Sequence, residues 1–159
     1  MSAAEGHCAC GEIRYRLAGR PFAIHCCHCR DCQRETGSAF VINGLVEADL
    51  IEVLKGAPQT IDTPAQGGRS QKIVRCPSCQ VALWSHYGDM GEKACFVRVG
   101  TLDDPAALPP QVHIFTRSKQ PWVLLSDDAP AFETFYSRDD LDRLFGQDGA
   151  ARSRALRNA

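Results

Sequence analysis

The segment at residues 72–84, KIVRCPSCQVALW, contains a Cys-x-x-Cys pair between two short apolar runs. A tight turn of this kind directs two thiolates to one side, and four thiolates form a closed tetrahedral site for structural zinc. The apolar runs at 72–75 and 81–84 are strand-like, so we predict two strands joined by a zinc knuckle. One knuckle supplies only two ligands, and a second cysteine pair must therefore complete the site.

The other cysteines provide that second pair and a further cluster. The chain has nine cysteines, and the clustered ones are Cys8 and Cys10; Cys27, Cys29 and Cys32; and Cys76 and Cys79. Because the middle cluster already contains three thiols, Cys8 and Cys10 are the expected partners of the knuckle. Three thiolates so close in sequence can hold one zinc ion and leave its fourth position open, which is typical of a reactive site.

Two alternatives remain for the three-cysteine cluster. A distant residue can close the site, and the candidates are His25, His28, His86, His113, Cys26 and Cys95. Alternatively, Cys29 and Cys32 form a redox dithiol, although that motif normally accompanies a βαβ pattern, which is lacking here. Of the candidates, Cys95 is expected to pack as a small hydrophobe. We expect His28 to point away from the metal, toward the surface or a hydrogen-bond partner.

Composition excludes several functional classes. The chain has 159 residues, of which 44% are hydrophobic and 23% charged, and its formal net charge is -1. This balance indicates a globular domain without a broad electrostatic surface for nucleic acid or an anionic membrane. No apolar run reaches the roughly 18 residues of a membrane helix, and no signal peptide is recognisable. We therefore expect a cytoplasmic protein whose thiols stay reduced.

Apolar periodicity predicts a mainly β chain. Ile13, Tyr15 and Leu17 alternate with arginines, which is the period-two pattern of a half-buried strand. Further strands are predicted at 22–26, 39–42, 50–54, 94–99, 113–116 and 122–125.

Helix is predicted only near the C-terminus, at 138–145. Ser137 can act as its N-cap, Asp140 occupies the capping-box position and Gly146 is a natural stop. Residues 146–159 show no packing pattern, so we predict a disordered tail after a single zinc domain at 1–145.

Several motifs together resemble one known family. They are GHCACGEIRY at 6–15, CHCRDCQR at 27–34, TGSAF at 36–40, the knuckle with Leu83 after it, HIF at 113–115 and SKQPW at 118–122. These motifs are similar to those of the glutathione-dependent formaldehyde-activating enzyme family, also called the CENP-V/GFA domain. Two positions depart from the family pattern: Gln80 follows the knuckle in place of glycine, and Gln33 stands where arginine or lysine is common.

The resemblance implies a fold, two metal sites and an activity. The fold is an Mss4-like β-tent, in which folded antiparallel sheets are stapled by zinc and one short C-terminal helix follows. The structural zinc maps onto Cys8, Cys10, Cys76 and Cys79, and the catalytic zinc onto Cys27, Cys29 and Cys32. The family's named reaction condenses glutathione with formaldehyde to S-hydroxymethylglutathione, which is a carbon–sulfur lyase reaction written in reverse.

The remaining expectations concern the residues that bind substrate and an alternative function. Glutathione carries two carboxylates, so basic residues near the site are expected to bind it, with Arg30, Arg34, Arg117 and Lys119 as candidates. Trp122 is expected either to wall the pocket or to pack in the core. The alternative function is a zinc-stabilised binding module without turnover, because the domain is shared with a centromere-associated protein. The oligomeric state stays open, a homodimer included.

Overall fold

The computed structural model describes residues 4–125 and 128–158 and contains ten strands and two α-helices within these ranges. The strands are β1 (Ala4–His7), β2 (Arg14–Leu17), β3 (Ala23–Cys27), β4 (Val41–Glu47), β5 (Ile51–Lys55), β6 (Gln59–Ala65), β7 (Arg69–Arg75), β8 (Ala82–His86), β9 (Ala94–Arg98) and β10 (Val112–Ile114). The helices are α1 (Arg30–Thr36) and α2 (Leu141–Asn158). The mainly β class predicted from periodicity is confirmed.

The strands form two sheets. A three-stranded antiparallel sheet has the order β1-β2-β5, and a seven-stranded sheet has the order β10-β3-β4-β9-β8-β7-β6. Most neighbours in the larger sheet are antiparallel, but β10 pairs with β3 in parallel. This pair departs from the predicted purely antiparallel arrangement, because the chain returns to β3 through a long connection and parallel strands require such a crossover.

The main core lies between the two sheets. The predicted alternation in β2 is confirmed, since Tyr15 and Leu17 are buried and the arginines between them are half-buried. The Tyr15 ring packs edge-on against Trp84 of the larger sheet, with 5.4 Å between ring centroids. The other face of the larger sheet is also covered, so every residue of β3 is buried. Strand β3 therefore has no solvent-exposed face.

The start of the predicted C-terminal helix is confirmed, but the predicted disordered tail is wrong. Ser137 and Asp140 form the expected capping box, and the helix breaks at Gly146, whose φ is 69°. Helix α2 then continues to Asn158, and Ala150 and Ser153 are buried. Residues 1–3 of the predicted domain and residue 159 of the predicted tail lie outside the described residues.

Two local predictions also differ from the structure. The segment at 122–125 is not a strand, and Trp122 is 72% exposed, so it neither packs in the core nor walls a pocket. Lys119 donates to the carbonyls of Gln120 and Val123, which closes this segment into a turn. Helix α1 was not predicted, because its seven residues are mostly polar and show no apolar periodicity. Within the described ranges, no helix is long and apolar enough to span a membrane.

Candidate active site and metal centres

The first cysteine group connects the two sheets. Cys8 and Cys10 lie in the turn between β1 and β2, whereas Cys76 and Cys79 lie in the turn between β7 and β8. Their four sulfurs lie within 4.8 Å of one another, with 3.5 Å between Cys8 and Cys10 and 3.7 Å between Cys10 and Cys76. Sulfurs around a tetrahedral zinc with bonds of about 2.3 Å are separated by about 3.8 Å. These four thiols could therefore hold one metal ion.

The backbone of both turns supports thiolate ligands. The amide of Ile13 donates to Cys8 Sγ at 3.3 Å. Hydrogen bonds from the amides of Val81 and Cys10 lower the pKa of Cys79 to about 6. Gln80, at the position where the family has glycine, adopts a left-handed φ of 60° directly after the knuckle. Backbone amides thus support one thiolate in each turn, at Cys8 and at Cys79.

The second group is local and lies at one end of β3. Cys27 ends this strand, Cys29 is the N-cap of α1, and Cys32 lies in the first turn of that helix. Their ligand atoms lie within 4.8 Å of one another, and no other described Cys, His, Asp or Glu joins them. Of the candidates for closing this site, none does so among the described residues. The geometry leaves room for a ligand from outside the chain.

The charge state of this group follows from its hydrogen bonds. The thiols of Cys27 and Cys32 hydrogen-bond to Cys29 Sγ, and the amides of Cys32 and Asp31 add to them, so the pKa of Cys29 is held well below its usual range. The Cys32 amide lies 3.3 Å from that sulfur. The same contacts, together with burial, raise the pKa of Cys27. These contacts therefore favour the thiolate form at Cys29 over the other two thiols of the group.

A third group, which sequence reasoning missed, lies on the opposite face of β3. It comprises Cys26, His28 and His113, all buried, with ligand atoms within 4.8 Å of one another. His28 Nε2 lies 3.1 Å from His113 Nδ1 and 3.6 Å from Cys26 Sγ. The expected hydrogen-bonding role of His28 is confirmed, but the residue is buried and not at the surface. No signal in the sequence points to this group, because it depends on the pairing of His113 with Cys26 across β10 and β3, which only the topology reveals.

The remaining candidate ligands have other partners. Cys95 is buried in the main core, as expected for a small hydrophobe, and its sulfur lies 3.7 Å from His86 Nδ1. His25 hydrogen-bonds through Nε2 to the Tyr136 hydroxyl at 2.8 Å. Neither pair contacts the three-cysteine group closely enough to complete it.

A cleft opens beside the three-cysteine group. It has a volume of ≈ 370 Å³ and is lined by all three of these cysteines. Its lining also includes five arginines: Arg30, Arg69, Arg98, Arg117 and Arg157. The volume falls within the usual range for small-molecule sites, about 300–1,000 Å³. The cleft therefore combines thiol groups with an excess of positive charge.

The basic residues predicted to bind substrate divide into two sets. Arg30 and Arg117 line the cleft, whereas Arg34 is exposed and does not belong to the lining. Lys119 also lies outside the lining, since its ammonium group is bound by two backbone carbonyls. Gln33, at the position where the family has a basic residue, is buried and donates to the carbonyls of His28 and Ser118. It holds α1 against the segment after β10.

Comparison with known proteins identifies the family of this chain. The sequence profile of the family described as "Glutathione-dependent formaldehyde-activating enzyme" matches residues 3–118. The chain belongs to this family. A Halomonas elongata relative, named "Putative glutathione-dependent formaldehyde-activating enzyme", is 29% identical over 128 residues, which cover 75% of this chain and 78% of the relative. All seven clustered cysteines lie within the range that the family profile matches.

A solved structure supports the fold. A crystal structure of a Rhodobacter sphaeroides protein superposes with a TM-score of 0.51, covering 80% of this chain and 99% of that one. The two sequences are 17% identical, so the likeness concerns the fold alone. Helix α2 lies beyond the residues that the family profile matches, yet it brings Arg157 to the cleft.

Proposed function

We propose that this chain is a zinc-dependent enzyme of the carbon–sulfur lyase type that joins a thiol to an aldehyde. The expected pair is glutathione and formaldehyde, which give S-hydroxymethylglutathione. The observation that carries the proposal is the position of the three-cysteine group, which lines a cleft and gains no fourth ligand from the described residues. The family description and the name of the Halomonas relative support the substrate pair.

Two zinc ions per chain are part of this proposal. Cys8, Cys10, Cys76 and Cys79 would hold a structural ion, because their sulfur separations fit tetrahedral coordination. Cys27, Cys29 and Cys32 would hold a catalytic ion. When bound there, zinc would supply Lewis acidity that favours the thiolate form of a substrate thiol or polarises an aldehyde. The negative charge already favoured at Cys29 suits that group to bind a cation.

The chain's own residues would bind and orient the substrate. Arg30, Arg69 and Arg117 are exposed at the rim of the cleft, where guanidinium groups can form paired hydrogen bonds with the two carboxylates of glutathione. Burial of Cys27 and the apolar rings of Phe96 and Phe115 would exclude water from the inner part of the cleft. A restricted, cationic site of this kind places the sulfur of the tripeptide near the cysteine group.

A reducing location is consistent with the thiols. All nine cysteines are unpaired, which supports the proposed cytoplasmic location, because disulfides form readily in oxidising compartments. The thiols of both proposed zinc sites are thereby available as ligands.

The proposal is tested by metal content together with turnover. The purified protein should contain two zinc ions per chain and accelerate exchange between glutathione and formaldehyde, followed by nuclear magnetic resonance. Cobalt placed in the three-cysteine site should change its visible spectrum when glutathione is added. S-methylglutathione, which cannot form a thiolate, is the matched control and should change the spectrum much less.

Other outcomes point elsewhere. A metal-loaded protein that accelerates no thiol–aldehyde reaction and shows no spectral response to thiols would favour the non-catalytic binding module. A third zinc ion per chain would identify Cys26, His28 and His113 as a metal site.

A further inference from the structure

Three buried polar side chains form a row across the floor of the cleft. His25 of β3 pairs with Asn43 of β4, and Asn43 pairs with Arg98 of β9. Residues directly opposite each other in neighbouring strands point to the same face of a sheet. All three line the cleft, and their exposed fractions are only 1%, 6% and 7%. Polar groups buried in this way normally have hydrogen-bond partners.

The row lies next to the three-cysteine group. His25 and Cys27 are two residues apart in β3, so both point to the same face, about 7 Å apart along the strand. Phe96, the neighbour of Arg98 on that face of β9, also lines the cleft. The floor of the cleft is therefore polar beside the cysteine group and apolar beyond it.

The positive charge of Arg98 has no carboxylate partner among the described residues. Its Nη1 donates to Asn43 Oδ1, and its Nε has no hydrogen-bond partner. Attraction to Cys32, Glu35 and Cys27, in that order, favours the charged form of Arg98, and Glu35 is already paired with Arg75. A buried guanidinium whose charge is only partly compensated is costly. The cleft thus presents a charged donor that a bound molecule can satisfy.

A second polar atom of the row is also unsatisfied. His25 uses Nε2 to contact the Tyr136 hydroxyl, and its Nδ1 is buried without a hydrogen-bond partner. Asn43 stands between these two unsatisfied groups. Such groups at the floor of a cleft are typical of sites that recognise one polar atom of a ligand in a fixed orientation.

We propose that the row of His25, Asn43 and Arg98 binds the oxygen atom of the thiol–aldehyde adduct, with Arg98 donating to it. This inference rests on the proposed function. The thiolate sulfur forms a bond to the carbonyl carbon, and the electron pair of the carbonyl π bond moves to oxygen. The oxygen then takes up a proton equivalent to the one that the thiol released, so the product is a neutral hydroxymethyl thioether.

The position of Arg98 favours the adduct oxygen over a substrate carboxylate. The oxygen is only two bonds from the sulfur, so it must lie close to the cysteine group. The carboxylates of glutathione lie at the far ends of the tripeptide and can reach the exposed arginines at the rim. A buried, charge-assisted hydrogen bond to a developing oxyanion is among the strongest contributions that a site can make to catalysis.

A matched pair of ligands tests this assignment. S-hydroxymethylglutathione, kept formed by excess formaldehyde, and S-ethylglutathione differ only by a hydroxyl in place of a methyl group. The zinc-loaded wild-type protein should bind the hydroxymethyl compound about tenfold more tightly, or better, as expected for a hydrogen bond from a charged donor. In Arg98→Met the two dissociation constants should agree within about twofold. Arg117→Met, at the rim, should weaken both ligands equally and keep their ratio.

A second variant covers the case in which Arg98→Met does not fold. Asn43→Asp has almost the same shape and places a carboxylate beside the guanidinium, so it should occupy Arg98 and abolish the preference in a folded protein. Steady-state kinetics of Asn43→Asp should show a lower kcat than the wild-type protein, with an unchanged KM for glutathione. A folded Arg98→Met or Asn43→Asp protein that keeps the wild-type preference overturns the assignment.

Failure of the inference is distinguishable from failure of the proposed function. If the wild-type protein turns over glutathione and formaldehyde but shows no preference between the two ligands, only the role of the row is wrong. If the wild-type protein catalyses no thiol–aldehyde reaction at all, the proposed function fails and the inference fails with it.

Discussion

The four-cysteine group and the three-cysteine group use the same ligand chemistry in two different settings. The first draws its thiols from turns that are 66 residues apart in sequence and that belong to different sheets. The second draws all its thiols from the end of one strand and the start of one helix. A metal ion in the first site would cross-link the fold, whereas an ion in the second would constrain only a short segment. Sequence separation, and not ligand type, therefore distinguishes the proposed structural site from the proposed reactive one.

The surroundings of the two groups reinforce this difference. Cys8 and Cys76 are fully buried in the main core, between the two sheets. Cys29 and Cys32 are half-buried and line the cleft, on the other side of the larger sheet. Loss of a ligand should therefore damage stability in the first group and activity in the second.

The largest expected effect is that of Cys76→Ser. Binding energy of a structural zinc is largely folding energy, so removing one ligand should cost several kcal/mol and lower Tm by roughly 10 °C or more. We expect aggregation or a much earlier thermal transition, measured by differential scanning calorimetry of the zinc-loaded protein.

The matched variant is Cys29→Ser in the other group. It should keep Tm within a few degrees of the wild-type value and reduce turnover about 100-fold or more, because ligand loss weakens metal binding at the reactive site. The comparison breaks if Cys29→Ser unfolds the protein while Cys76→Ser remains stable and active.

Truncation after Gly146 should have the next largest effect. The removed segment contains the buried Ala150 and Ser153, and Ala150 packs in the same apolar cluster as Cys27 and Tyr136. We expect a loss of about 3–5 kcal/mol, similar to the deletion of a few core side chains. Alkylation with mass spectrometry should show faster modification of Cys27 than in the full chain. Equal acceleration at Cys8 would mean that α2 supports both sites alike.

This helix also shows where sequence reasoning failed and why. The predicted tail has one large apolar residue, Leu156, and its buried positions are otherwise small ones. A Cβ atom at Gly149 would lie 2.9 Å from the Phe22 carbonyl oxygen and 2.8 Å from Phe145 Cβ. Close backbone approach of this kind produces no hydrophobic periodicity, so the pattern of the segment predicts a tail.

Other features also differ in whether a local sequence pattern encodes them. The alternation around Tyr15 predicts a strand buried on one face, and the structure confirms it. Arg98 ends a strand of mainly apolar residues and is buried, and nothing local distinguishes it from a surface arginine. Cysteine spacing predicted which thiols the structure brings together. By contrast, the group of Cys26, His28 and His113 depends on pairing between β3 and β10, which no local pattern encodes.

A smaller effect is expected from the ion pair that attaches α2 to the larger sheet. Arg152 donates to both carboxylate oxygens of Glu47, at 2.8 and 2.5 Å, and both side chains are half-buried. This hydrogen-bonded contact lowers the pKa of Glu47. Arg152→Gln should therefore cost about 1–2 kcal/mol at neutral pH.

The unfolding free energy lost in Arg152→Gln should decrease as the pH becomes acidic. A carboxylate with a lowered pKa in the folded state stabilises the protein above its unfolded value, about 4.3, and this contribution disappears as pH falls through the folded value. The difference in unfolding free energy between wild type and Arg152→Gln should be constant above about pH 5 and shrink below pH 4. Arg154→Gln, in an exposed pair with Asp142 on the same helix, is the control and should leave the unfolding free energy nearly unchanged at every pH. A loss that increases toward acidic pH would contradict this account.

The smallest effect concerns the two turns of the four-cysteine group, which bend in the same way with different residues. Gly11 and Gln80 have φ values of 73° and 60°, and left-handed backbone is unfavourable for a residue with a Cβ atom. Gln80→Gly should relieve that strain but lose the hydrogen bond from its side chain to the Pro77 carbonyl, so we expect a net gain in stability of about 0.5 kcal/mol.

Gly11→Ala is the reciprocal test, since nothing lies within 4 Å of the new Cβ and only the backbone conformation opposes it. It should cost about 1 kcal/mol. Measured by chemical denaturation of the zinc-loaded proteins, opposite signs for the two variants would show that both turns are selected for backbone conformation. A loss of stability in Gln80→Gly larger than that in Gly11→Ala would show instead that the side-chain contacts of Gln80 outweigh its strain.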